Sequence, residues 1–144
     1  MFRTSAITRM VPVVVLAVIL SACGSATPAT PEVKEVVVKV NEYAFSPMEI
    51  RAKAGQPMRI MLQNEGTLLH DMSSLDAMVE MMQAEGAGHD MGDIDNQMRM
   101  HVAAEVGQMA MMEFTPTQAG TYEFFCSVEG HKEAGMVGKL IVEP

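Results

Sequence analysis

Cysteine, positive charge and long apolar runs are all scarce in this chain. Two cysteines, Cys23 and Cys126, stand among 144 residues. That excludes a disulfide-stapled scaffold and leaves at most one pairing, which would tie a flexible terminus into the core. Ten basic residues face 18 acidic ones, for a formal net charge of −8. Such a balance argues against nucleic acid and against adsorption on anionic lipid. It suits a basic docking partner, with association weakened by salt, and it equally serves to keep the protein soluble. The apolar run from Val11 to Leu20 is too short for a comfortable membrane span. The length allows one domain with a proper hydrophobic core.

What is present at the N-terminus reads as a targeting segment. Arg3 and Arg9 precede the apolar run, as in a secretory leader, and Leu20-Ser21-Ala22-Cys23 resembles the bacterial lipobox. That resemblance implies cleavage before Cys23 and lipidation of its sulfur; an ordinary leader cleaved nearby is the alternative. Residues 1–23 are thus expected to be a signal peptide, 24–32 a small-residue, Pro-punctuated tether, and 33–144 the folded domain. The location implied is extracytoplasmic, on a lipid anchor. Removing residues 1–22 takes away Arg3 and Arg9 and no acids, so the formal charge moves from −8 to −10.

Within the domain, short runs separated by Gly and Pro turns predict strands. Val33 to Val40, Met48 to Lys53, Met58 to Asn64, Gln108 to Phe114, Thr121 to Phe125 and Val137 to Val142 all qualify. Met58, Ile60 and Leu62 alternate onto one face. Many short strands of this kind predict an all-β sandwich. The stretch of about 72–107 breaks the rhythm. Ser73 or Ser74 can cap a helix, and Leu75, Met78, Val79 and Met82 follow helical spacing up to Gly86. A second, weaker helical run carries Ile94, Met98 and Val102 and ends by Gly107. The expectation is a helical insertion on the sandwich.

The chemistry concentrates in Phe125-Cys126-Ser127-Val128-Glu129-Gly130-His131-Lys132-Glu133-Ala134-Gly135-Met136. Cysteine, histidine and methionine follow one another on one short loop, each separated from the next by four residues. A thiolate and an imidazole bind copper strongly, and a thioether binds it weakly along an axis. One strong ligand is missing, and an upstream histidine, His70, can supply it. Taken singly, a buried cysteine, a polar histidine and a core methionine are ordinary. Their order on one Gly-containing loop points to a single copper ion of the blue type held by His70, Cys126, His131 and Met136.

With these residues in view, the chain resembles the cupredoxins, the small blue-copper family of plastocyanin, azurin and auracyanin. The likeness rests on Phe45-Ser46-Pro47, Ala54-Gly55, Asn64-Glu65-Gly66, His70-Asp71, Ala119-Gly120-Thr121-Tyr122 and the loop from Cys126. It covers residues 33–71 and 108–144, and the loop length is more like that of auracyanin and rusticyanin than that of plastocyanin. The resemblance implies a Greek-key β-sandwich and a carrier of single electrons rather than an enzyme. It implies extracytoplasmic or membrane redox partners, a cytochrome or an oxidase among them. It also implies a hydrogen bond between Asp71 and Ser127 that locks the two ligand segments together.

Ten of the 16 methionines fall between Met72 and Met112, with His89 and His101 among them. Soft thioethers favour Cu(I), so this insertion could bind a second, labile copper and make the protein a copper carrier or chaperone. It could equally be irregular hydrophobic packing, or a docking lid over the copper end. A copper enzyme would need a second metal site, and a dinuclear oxidase-type site would need two loop cysteines where only Cys126 stands.

Overall fold

A computed structural model describes residues 32–87 and 98–144. The leader, Cys23, nearly all of the tether and His89 lie outside the described residues. Ten strands follow in chain order: β1 Lys34–Asn41, β2 Ala44–Ser46, β3 Glu49–Lys53, β4 Met58–Asn64, β5 His70–Ser74, β6 Val79–Glu85, β7 Met100–Ala104, β8 Met109–Pro116, β9 Gly120–Phe125 and β10 Val137–Glu143. One sheet has the order β2-β1-β4-β8-β6 and the other β3-β10-β9-β5-β7. From β2 to β9 every connection crosses from one sheet to the other. The turn between β9 and β10 stays within its sheet, and it is the loop that carries Cys126, His131 and Met136.

The core lies between the sheets and follows from alternation. In β4 the pattern is strict: Met58, Ile60 and Leu62 are buried and the residues between them are not. Met112 and Phe114 of β8 join them from the same sheet, facing Ile50, Met72, Val102, Phe124 and Leu140 of the other. Phe45 meets the Phe124 ring edge-on at 5.1 Å, which clamps β2 to the opposite sheet. The all-β sandwich predicted from the turns is the architecture found.

The helical insertion is not. Among the described residues, 72–107 contributes strands β5, β6 and β7 and no helix. Leu75, Met78 and Met82, whose spacing suggested a buried helical face, are 46%, 47% and 57% exposed. The residues instead satisfy a need that is long-range and invisible in a local window. Strand β8 has an outer edge of unpaired backbone groups, and β6 covers it from Val79↔Pro116 to Glu85↔Met111, with an irregularity at Met81/Gln83. Ile94 of the second helical run lies outside the described residues, and from Met100 on the run gives way to a strand for a different reason. Met100, Val102 and Ala104 face the core with period two, and β7 pairs with β5 from Ser74↔Met100 to His70↔Ala104. That pairing draws the chain beside the strand that begins with His70.

Gly138 of β10 leaves room for the ring of its cross-strand partner Phe124 beside the ligand loop. A Cβ there would lie 2.2 Å from Phe124 Cζ and 2.7 Å from the Met48 carbonyl oxygen. We expect Gly138→Ala to lower stability by about 2–3 kcal/mol through overpacking, read as a lowered denaturant midpoint; an unchanged midpoint would show that Phe124 can move aside freely.

Candidate metal centre

Two segments bring the donors together. The first leaves β4 at Asn64 and returns as β5 with His70. Asn64 is buried and organises this turn: its Nδ2 donates to the Leu68 carbonyl at 2.7 Å and to the Ala104 carbonyl at 2.9 Å, while its Oδ1 accepts from Gly66 N–H at 2.9 Å. Gly66 packs under the imidazole, where a Cβ would sit 2.8 Å from His70 Nε2. The Thr67 N–H and hydroxyl both donate to Glu42 Oε1, at 2.5 and 2.8 Å. The Thr67 N–H is the main cause that holds the Glu42 carboxyl at about 2.

The second segment is the β9–β10 loop. Cys126 N–H donates to the Met136 carbonyl at 3.2 Å, and Met136 N–H donates to the His131 carbonyl at 2.9 Å. One short ring of backbone bonds therefore fixes all three side-chain origins. The tight folding of the loop needs left-handed backbone at Gly130 (φ 81°) and Gly135 (φ 98°), which glycine adopts without a steric penalty.

At the meeting point Cys126 Sγ lies 3.9 Å from His70 Nδ1 and 3.5 Å from His131 Nδ1. The three donor atoms fall within 4.8 Å of one another, and among the described residues this is the one such group of His, Cys, Asp and Glu side chains. His70, Cys126 and Met136 are fully buried, and His131 is 4% exposed. Cys126 carries a free thiol. The His131 ring is flanked by His70, with centroids 5.0 Å apart, and by the edge of Tyr43 at 5.2 Å.

The electrostatics suit a soft cation. Burial, reinforced by the Asp71 charge, pushes the Cys126 thiol up to about 11. Burial, and secondarily His131, holds His70 below the ordinary imidazole value. The pocket without metal therefore presents a neutral thiol and a neutral His70 ring whose lone pair is available. His70 Nε2, the nitrogen turned away from the thiol, is buried with no hydrogen-bond partner. Two imidazoles and a thiol, with a buried thioether on the same loop, are the donor set that copper takes.

The Asp71–Ser127 pair meets directly. Ser127 N–H donates to Asp71 Oδ1 at 2.9 Å, and the Ser127 hydroxyl donates to Oδ2 at 2.5 Å. The two segments are thus tied one residue beyond each donor. Sequence reasoning passed over the functions of Asn64, Gly66 and Tyr43. Asn64 and Gly66 lie in the Asn64-Glu65-Gly66 turn motif, whose residue types alone carry no sign of these contacts. Tyr43 has only its left-handed φ of 68° at the β1–β2 turn to mark it, and that is a structural signal.

Comparison with known proteins agrees with this geometry. The profile of the cupredoxin-like domain matches residues 12–142. The chain is 32% identical over 177 aligned positions to the copper-resistant cuproprotein CopI of Pseudomonas aeruginosa, covering 94% of this chain and 98% of that one. A protein of the same name from Rubrivivax gelatinosus is 32% identical over 111 positions, 74% of this chain and 64% of its own. Among solved structures, auracyanin B superposes with a TM-score of 0.60 at 20% identity, covering 82% of this chain and 94% of its own. An auracyanin from Roseiflexus castenholzii gives 0.59 at 19% identity, over 77% and 98%. These two likenesses bear on the fold. The family and the donor set give one type 1 copper ion as the cofactor.

Asn64→Ala should cost about 2–4 kcal/mol, because it strands buried backbone groups on both sides of the turn. Copper affinity should fall with it, and a titration at fixed temperature reads both. The raised thiol makes metal loading a proton-releasing step. At neutral pH the copper-free thiol holds its proton, and binding expels it, so apparent affinity should rise by about tenfold per pH unit in mildly alkaline solution, below the thiol's own titration. A pH-independent affinity would show that the thiol is already ionised.

Proposed function

This chain belongs to the cupredoxin-like family, and on that premise we propose that it shuttles single electrons outside the cytoplasm, with one copper ion held by His70, Cys126, His131 and Met136. The observation that carries this reading is the buried convergence of Cys126 Sγ on the two imidazole Nδ1 atoms, at 3.9 and 3.5 Å. Bound copper supplies a Cu(I)/Cu(II) couple. The protein's part is to keep the donors in place while the charge changes. The backbone ring through Cys126, His131 and Met136 and the Asp71–Ser127 bonds restrain them from both sides. Burial excludes water, so no solvent molecule has to reorient inside the site during transfer.

His131 is the donor with residual exposure, and it stands beside the exposed ring of Tyr43. It is the natural exit for the electron. The partners proposed are redox proteins of the extracytoplasmic space or membrane, a cytochrome or an oxidase. A lipid on Cys23 would hold the carrier near them, and the chain would act without an enzymatic substrate.

A second reading, a copper carrier, draws support from the names of the relatives, which are copper-resistant cuproproteins. Exposed thioethers of Met78, Met82 and Met109 offer Cu(I) a surface to visit. The buried thiol–imidazole pocket favours retention over release. The two readings part on one experiment. An electron carrier should show an intense thiolate-to-copper charge-transfer band, lost in Cys126→Ala, and should cycle through reduction and reoxidation with its copper retained. Colourless copper binding with rapid loss to a chelator would establish the carrier instead.

A further inference from the structure

The hydrogen bonds around Asp71 continue away from the donors. Asp71 Oδ1 accepts from the Ser73 hydroxyl at 2.8 Å, and Ser73 Oγ lies 2.8 Å from His101 Nδ1. Register explains the alignment. Ser73 of β5 stands opposite His101 of β7 on one side and opposite Phe125 of β9 on the other, and Asp71 lies two residues back on the same face. Asp71 and Ser73 are fully buried, and His101 is half-buried on β7, the outermost strand of its sheet.

The hydrogens can be assigned by counting. A carboxylate only accepts, and a serine has one hydroxyl hydrogen. Ser73 gives that hydrogen to Asp71, so toward His101 its oxygen must accept. His101 must then carry its proton on Nδ1. The result is a directed chain: His101 Nδ1–H to Ser73 Oγ, Ser73 O–H to Asp71, and Asp71 bound by the N–H and O–H of Ser127, the residue next to Cys126.

We propose that His101 and Ser73 are positioning residues for the copper site, holding Asp71 in the orientation that ties Ser127 to the β5 segment. The proposal rests on the copper reading above. Two effects follow. Mechanically, the chain fixes both oxygens of Asp71, so that the Cys126 and His70 segments cannot shear past each other. Electrostatically, each donor to Asp71 draws its negative charge away from the nearby thiolate. Without the Ser73 hydroxyl, Asp71 would present a stronger negative field at Cys126 and favour the more highly charged Cu(II) state.

The test has one arm that needs no copper. Nitrogen-15 NMR of the imidazoles in the copper-free and Cu(I)-loaded protein should show a proton on Nδ1 of His101. An Nε2–H tautomer would overturn the proposal. In the copper-loaded protein, Ser73→Ala and His101→Ala should lower the reduction potential and shift the thiolate charge-transfer band. His101→Asn, whose amide N–H reaches the position of Nδ1–H, should restore both. Folded Ala variants with wild-type potential and band would overturn the proposal. Should the Ala variants fail to fold, the wild-type tautomer and the Asn variant still decide. A wild-type protein without any thiolate band would instead sink the copper reading, whatever the tautomer of His101.

Discussion

A carboxylate removed from water has to be met by hydrogen-bond donors, and the way Asp71 is met determines how the metal centre is built. Asp71 is fully buried one residue after His70. Its oxygens receive the N–H and hydroxyl of Ser127, one residue after Cys126, and the hydroxyl of Ser73. Together with the pairing of Ser73 with Phe125 across β5 and β9, this polar contact aligns the β5 segment with the β9–β10 loop. It also bears on the thiol: the negative charge of Asp71 adds to burial in raising Cys126, while the Asp71 backbone bond partly opposes it. One side chain thus couples the geometry of the donors to their protonation.

The sandwich serves this contact by bringing β5 and β9 into one sheet. Crossing connections from β2 to β9 deliver β5 beside β9 although 56 residues separate His70 from Cys126. The hairpin between β9 and β10, paired up to Phe125↔Val137, then offers the remaining donors from a base that is already rigid. Rigidity at that base comes from close packing. Gly138 lies against the Phe124 ring, and Phe124 in turn meets Phe45 of the other sheet.

Much of this was legible in the sequence, for identifiable reasons. The spacing of Cys126, His131 and Met136 is local, and a loop that must present three donors keeps them close in the chain. Strands such as β4 and β10 alternate strictly, because one face is core and the other is not. The stretch from Leu75 to Ala104 misled because its methionines imitate a helical stripe while their positions answer to distant demands. β6 exists to cover the edge of β8, and β7 to pair with β5; neither demand leaves a local trace. Gly66 and Asn64 show the same limit at the site. A glycine under an imidazole and an asparagine that ties a turn to a strand 40 residues away are recognised only once the contacts are visible.

The long separation between His70 and Cys126, set beside the mere five residues from Cys126 to His131, divides the centre into a part that is preassembled and a part that must be recruited. A detached β9–β10 hairpin would retain a sulfur, one ring and a thioether, yet it would lack the fourth arm. Occupancy of the pocket by all four donors is therefore a gauge of whether β5 has docked beside the hairpin, and any ion resident there lends its binding energy to that folded state.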